Sequence, residues 1–357
     1  MLGKRYKFDG HPIIKLNPLQ EKIKLQIGSQ IKEGRYRTEK VPCAVCGGSD
    51  FEQLSEKDRH GLPLSVVICR DCGLIQTNPR MDESSYKEFY RTQYIQLNTG
   101  KDKATREYFL DRYFEGANIY RYLKNHFPKD PNNMFVVEIG CSAGGILAYF
   151  RDRGCGVMGL DIDEDSVLFG RKNYNLDLRV GSLSEQTLER PPDIIILSHV
   201  LEHFSRPNEE LSAVRRAASA GTIIYIEVPG FKNLLFNFYD LDFLHSLQIP
   251  HLYFFSIITL QNLLRRNGFA MIEGDNRVRS ISKTCKPEID YRSDYRDAIS
   301  YLERLETFRR YLPITPYKVR YAIESAYRWL LHKTGLYNGA RKLYRRIIKR
   351  TEPKDGS

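Results

Sequence analysis

The fold of this chain is decided by VVEIGCSAGGILAYF, residues 136–150. An apolar run enters a turn built on Gly140, Gly144 and Gly145, and a helical stretch follows at once. Strand, tight glycine turn and helix together expose a helix N-terminus to a ligand. Outward from this stretch, apolar runs alternate with helical ones across residues 131–283, the rhythm of a parallel α/β sheet. The expected strands are MFVVEIG (134–140), GVMGLD (156–161), DLRVG (177–181), DIIILS (193–198) and TIIYIEV (222–228), with a sixth in FAMIEG (269–274) after a helix stop at Gly268. The helices GGILAYFRDR, DEDSVLFGRKNY and EELSAVRRAAS cover the sheet and supply right-handed crossovers.

Two nucleotide-type ligands compete for the glycine turn. A dinucleotide fingerprint wants glycine at the first, third and sixth positions; Gly140 and Gly145 fit, but Ser142 stands between them, which weakens a nicotinamide reading without removing it. The series Glu138, Gly140, Ser142, Gly144 resembles instead the first motif of class I S-adenosylmethionine (SAM) dependent methyltransferases. That resemblance implies a Rossmann-like doubly wound methyltransferase sheet and SAM as cofactor. Glu138 and the turn then receive the methionine part, since an ammonium needs an acceptor and the backbone must come close. Asp161, at the end of the second strand, is where the family places the acid that binds the ribose diol; the alternative duty, capping the next helix, suits Asp163 better. Gly181, Ser182 and Leu183 match the adenine-side loop, and Ser198 joins the cofactor set at the end of the fourth strand.

DIIILSHVLEHFSRPNEEL followed by GTIIYIEVPG is similar to the group that includes ubiquinone-type O-methyltransferases and sugar methyltransferases. The chain lacks the Asn/Asp-Pro-Pro-aromatic motif of nucleobase amino-methyltransferases and a Pro-Cys nucleophile, which argues against nucleic acid as acceptor. Methyl transfer from a sulfonium needs an acceptor lone pair in line with the methyl and a base for the acceptor's proton. His199, His203 and His251 are the candidates, because they fall at the carboxyl ends of the fourth and fifth strands. Glu202 either orients one of them or forms a helix-start hydrogen bond. Sugar C-methyltransferases of this group carry Tyr-x-Glu-His where this chain has Gln248, Ile249, Pro250 and His251, so the resemblance favours transfer to a hydroxyl or other heteroatom of a sugar, sugar nucleotide or glycan intermediate.

Cys43 and Cys46, each pair followed by glycine, stand 22 residues from Cys69 and Cys72. Two such knuckles close a four-thiolate site, and structural zinc is expected ahead of a rubredoxin-like iron. The sugar-methyltransferase group begins with such a zinc-ribbon-like module, and CRDCGLIQ matches its second knuckle. Cys141, Cys155 and Cys285 are scattered, and no disulfides are expected.

The remaining segments carry less chemistry. Residues 1–40 look like a polar, loosely packed extension, residues 41–80 an independent zinc-binding module, and residues 81–130 a helical connector whose aromatic stripe (Tyr86, Phe89, Tyr90, Tyr94, Phe109, Tyr113) reads as packing rather than a ligand site. Residues 284–357 form a helical, basic C-terminal segment. Of the net charge of +11, most sits in residues 317–350, where ten Lys or Arg face the single acid Glu324. Leu336, Ala340, Leu343, Tyr344, Ile347 and Ile348 fall on one helical face there, opposite Arg341, Lys342, Arg345 and Arg346. Such a helix docks on the core or adheres to an anionic membrane surface. No apolar run approaches the length of a membrane span and no secretory signal is visible, so the expected location is cytoplasmic, peripheral at most to the inner face of the membrane. The rival readings are an RNA methyltransferase and a non-catalytic zinc-containing scaffold with a methyltransferase fold.

Overall fold

The computed structural model describes residues 1–100, 106–234, 239 and 241–311. The basic stretch 317–350 lies outside the described residues.

The N-terminal 40 residues are not a loose extension. Helix α1 (Pro18–Lys32) starts at a capping box in which the Asn17 side chain accepts from the Gln20 amide and the Gln20 side chain accepts from the Asn17 amide. It buries Ile23 and Ile27, and Tyr6 ahead of it is fully enclosed. The sequence reading missed this because the apolar residues of the segment are few and widely spaced.

Next come β1 (Thr38–Glu39), β2 (Phe51–Lys57), β3 (Pro63–Cys69), β4 (Ile75–Thr77) and β5 (Arg80–Met81). Strands β2, β3 and β4 form an antiparallel meander, while β1 pairs with β5. Helices α2 (Glu83–Thr92, capped by Asp82), α3 (Tyr94–Thr99) and α4 (Arg106–Leu123) lead to the main sheet.

That sheet is built from β6 (Phe135–Ile139), α5 (Gly145–Arg151), β7 (Gly156–Asp161), α6 (Glu164–Tyr174), β8 (Leu178–Val180), β9 (Ile194–Ser198), α7 (Pro207–Ala217) and β10 (Ile223–Glu227). After the short α8 (Phe243–Ser246) and β11 (Tyr253–Phe254) come α9 (Ile257–Arg266), β12 (Phe269–Gly274), β13 (Arg279–Thr284) and α10 (Tyr295–Tyr311). The strand order is β12-β13-β10-β9-β6-β7-β8, with β13 antiparallel to both neighbours and β6 to β10 parallel. All six expected strands are present. The seventh, β13, was missed because RSISKT alternates serines rather than large apolar residues, although Ser280 and Ser282 are fully buried.

Both faces of the sheet are covered. Val137, Ile139, Ile195, Leu197, Ile224 and Ile226 enter one core, and Val136, Ile194, Ile196, Ile223 and Tyr225 enter the other. Burial on both faces is why these strands read as continuous apolar runs. At about 1.5–3 kcal/mol for each fully buried Val, Leu or Ile, these positions dominate the stability of the sheet.

The meander is not independent either. Strand β11 pairs antiparallel with β4, so the segment just after His251 is the edge strand of the cysteine-bearing sheet. The C-terminal part closes the body: the Asp294 amide donates to Cys72 O, its carboxylate meets Lys232 and Ser256, and Glu306 on α10 meets Arg5 and Tyr6.

Candidate active site

The order in which strands are added reverses between β6 and β9, which lie side by side and run parallel. Their carboxyl ends form the crevice where open α/β sheets bind ligands. A cleft of about 870 Å³ opens there, reached by the ends of β6, β9 and β10.

The glycine turn is shaped by backbone that side chains would obstruct. Gly140 has φ +74°, and a Cβ on it would sit 2.6 Å from Val200 Cγ2; Gly144, at φ +80°, is the N-cap of α5. Ser142 adopts the left-handed region at φ 49° without being glycine. The turn hangs on the end of β7: the Gly140 and Cys141 amides donate to Leu160 O at 2.8 and 3.0 Å, and the Ser142 amide donates to Asp161 Oδ2 at 2.7 Å. Asp161 also accepts from the Asp163 amide at 2.8 Å, and its carbonyl accepts from Gly181 at 2.9 Å. Burial raises the Asp161 pKa, against the pull of those amides. Asp163, not Asp161, caps α6.

Glu138 is only 1% exposed, and its Oε2 has no partner. Burial pushes its carboxyl up to about 8, although Arg112, 4.0 Å away, pulls the other way. Arg112 also donates to Ser198 O and Oγ at 3.3 and 3.2 Å. It comes from α4, as Tyr108 does, while Tyr94 and Asn98 come from α3, and all four line the cleft. The aromatic connector is therefore part of the site wall as well as packing, a correction to its sequence reading. Arg112 was missed because one arginine on an exposed-looking helix face carries no signal of its own.

The histidines converge. His199 sits at φ 57°, its amide donating to Glu227 O at 2.8 Å, so a strained residue stands at the end of β9. Glu202 is 1% exposed, and neither carboxylate oxygen has a hydrogen-bond partner. Its Oε1 is 3.8 Å from His199 Nδ1 and 3.6 Å from His203 Nε2, beside both rings but beyond hydrogen-bond distance, and it forms no helix-start bond. His203 Nδ1 lies 2.7 Å from Pro250 O and 2.6 Å from Tyr90 Oη, and its ring meets that of His251 edge-on at 4.9 Å. The two nitrogens His251 Nε2 and Gln248 Nε2 are 2.6 Å apart. Burial lowers the His203 pKa and, with the neighbouring His203 charge, lowers that of His251 further. Burial also pulls on His199, but Glu202 and Glu227 outweigh it and the net shift is upward.

Of the residues expected from sequence, Gly140, Ser198, His199, His203 and His251 line this cleft. Glu138, Ser142, Gly144, Asp161, Gly181, Ser182 and Leu183 do not; the first three belong to the end of β6 and the glycine turn, and the other four lie along the ends of β7 and β8. Ser182 forms a capping box with Glu185 there, and Leu183 is buried in the core.

The four cysteines come together at the tip of the meander. Cys43 and Cys72 Sγ are 3.4 Å apart, Cys46 and Cys69 Sγ 3.5 Å. Gly47 and Gly73, both at positive φ, close the two knuckles with amide bonds to Cys43 O and Cys69 O. The Gly48 amide faces Cys46 Sγ at 3.4 Å. Thiolates about 2.3 Å from one ion would stand close to these separations, so the residues fit a tetrahedral metal.

Residues 109–273 match the family model described as a methyltransferase domain. The matched stretch is similar to that domain. It spans α4 to β12 and so contains the glycine turn, Arg112 and all three histidines. Among curated proteins, an "uncharacterized methyltransferase" of Staphylococcus carnosus is 28% identical over 80 residues, which are 22% of this chain and 38% of that protein. A "probable S-adenosylmethionine-dependent methyltransferase" of Mycolicibacterium smegmatis is 30% identical over 96 residues, covering 26% of this chain and 37% of that one. The chain thus matches little more than a third of the length of either relative. Among solved structures, magnesium protoporphyrin IX methyltransferase of Synechocystis with bound SAH is 15% identical (TM-score 0.41, covering 56% of this chain and 100% of that one). The sugar N-methyltransferase KedS8 from Streptoalloteichus is 13% identical (TM-score 0.40, covering 56% and 93%). Among the described residues no helix is long and apolar enough to cross a membrane.

Proposed function

We propose that this protein transfers the methyl group of SAM to a small-molecule acceptor, at a hydroxyl or other heteroatom of a sugar, sugar nucleotide or glycan intermediate. One observation supports the reading above the others: the buried Glu138 carboxyl, two residues before Gly140 at the end of β6, carries an oxygen without a hydrogen-bond partner. A buried acceptor without a donor costs about 1–3 kcal/mol, more when charged, and a cationic ligand removes that cost.

When bound, SAM supplies an electrophilic methyl on a sulfonium. Glu138 would accept from its ammonium, Arg112 would face its carboxylate, the side-chain-free glycine turn would let the protein backbone come close to it, and Asp161 would take the ribose hydroxyls. Gly181, Ser182 and Leu183 border the adenine side. The His199, His203 and His251 cluster receives the acceptor, and a histidine takes its proton. Structural zinc held by Cys43, Cys46, Cys69 and Cys72 fixes the meander, and with it β11 and the position of His251.

Isothermal titration with SAM and S-adenosylhomocysteine tests the reading. Micromolar binding, lost in Glu138→Gln and weakened in Asp161→Ala, is the expected result. Absence of binding by folded, zinc-loaded protein overturns it in favour of a non-catalytic scaffold.

A further inference from the structure

We propose that Glu202, His203 and His251 hold a divalent transition-metal cation, distinct from the ion of the four cysteines, at the floor of the cleft. One donor atom from each of the three lies within 4.8 Å of the others. Glu202 is 1% exposed with both oxygens unpartnered, in a chain whose other buried carboxylates mostly have amides, hydroxyls or cations against them.

The hydrogen bonds around the two histidines prepare them as ligands. Pro250 O can only accept, so His203 Nδ1 carries the proton, and the lone pair is left on Nε2, 3.6 Å from Glu202 Oε1. A lone pair facing a carboxylate repels it unless a cation stands between them. His251 behaves alike. Its Nε2 lies 2.6 Å from the Gln248 amide nitrogen while Gln248 Oε1 is buried with no partner. With that amide turned over, Oε1 stands where it accepts from His251 Nε2, and Nδ1 keeps the lone pair. Each imidazole then has one N–H fixed by a carbonyl-type oxygen and the other nitrogen free, the arrangement that orients metal-bound histidine. Donors around a metal at about 2.1 Å stand about 3.4 Å apart, so side-chain rotations close the cluster without backbone movement. Two imidazoles and one carboxylate favour zinc, iron(II) or cobalt(II) over magnesium or calcium.

The cation site stands on this geometry alone, and its role rests on the methyl-transfer reading. An acceptor hydroxyl bound to the cation becomes more acidic. It gives its proton to His199, which is 42% exposed and returns it to solvent. The oxygen–carbon bond forms as the sulfonium sulfur–carbon bond breaks, whose electron pair stays on sulfur as the neutral thioether.

The test is titration of the full-length, zinc-loaded protein with cobalt(II), followed by its visible ligand-field absorption and by elemental analysis after dialysis. The expected result is about one cobalt per chain beside the retained zinc, with affinity down by about tenfold or more in Glu202→Gln, His251→Ala and the outer-sphere variant Gln248→Ala. The last keeps all three ligands, so it reports even if a ligand variant does not fold. No cobalt uptake, or uptake unchanged in all three variants, overturns the proposal. SAM binding measured on the same samples separates the two readings: SAM without cobalt defeats the metal site alone, and cobalt without SAM defeats methyl transfer alone.

Discussion

With its pKa at about 8, the Glu138 carboxyl is mostly protonated at pH 7, and a ligand ammonium set against its bare oxygen ionises it. Binding of SAM therefore releases a proton. Between pH 6 and 7.5, below the ordinary value of the ligand amine, affinity tightens as pH rises, by up to about tenfold per pH unit. Calorimetry across that range checks it, and Glu138→Gln should bind about 10–100-fold more weakly at pH 7.5 with a flat pH response. Gly140 gives a backbone prediction. Alanine there meets both a positive φ and Val200, costing about 1–3 kcal/mol in a denaturant melt. At this scale the sequence showed Glu138, the glycines and the histidines, because spacing relative to a strand end carries them. It could not show Arg112 or Tyr90, which reach the same place from helices whose stripe reads as packing. Nor could it show that Asp161 supports the turn through the Ser142 amide, a contact between residues 19 apart that no local pattern encodes.

Among the elements, the parallel strands were legible because each is buried on both faces, whereas β13 was not, its buried positions being mostly serine. More consequential is the pairing of β4 with β11, since it puts the cysteine-bearing strands and the segment just after His251, on the proposed acceptor side, in one sheet. The proposed cofactor side belongs to a different sheet, at the ends of β6 and β7. Cys72→Ser should therefore lose zinc and most turnover while SAM affinity stays within about threefold, the sites being far enough apart to act nearly independently. An equal loss of SAM binding would show instead that the module supports the whole domain. Tyr90→Phe tests α2 more finely. Removing the hydroxyl 2.6 Å from His203 Nδ1 should cost about 1 kcal/mol of stability and raise the acceptor KM more than the SAM Kd.

Across the whole molecule, the two ends of the described chain meet at one point, at the start of α8. Arg5 binds Asp242 through two bonds, 2.7 and 2.6 Å, and Glu306 at 3.1 Å, while Tyr6 Oη donates to Glu306 at 2.5 Å. Asp242 in turn caps α8, which leads into Gln248 and His251. The clasp is partly buried, with Glu306 almost wholly enclosed; removing Arg5 takes the bridging guanidinium from Asp242 and leaves Glu306 paired with Arg309 alone. Arg5→Ala should cost about 2 kcal/mol in denaturant unfolding, below the range for a fully buried pair because the arginine keeps some contact with water. The same change should raise the acceptor KM and leave SAM affinity alone, because α8 runs on to Gln248 and His251 and not to the glycine turn. A residue five positions from the N-terminus would then tune acceptor binding through Asp242. If SAM affinity falls in step with acceptor binding, the clasp instead steadies the sheet as a whole, and the acceptor wall has no separate support.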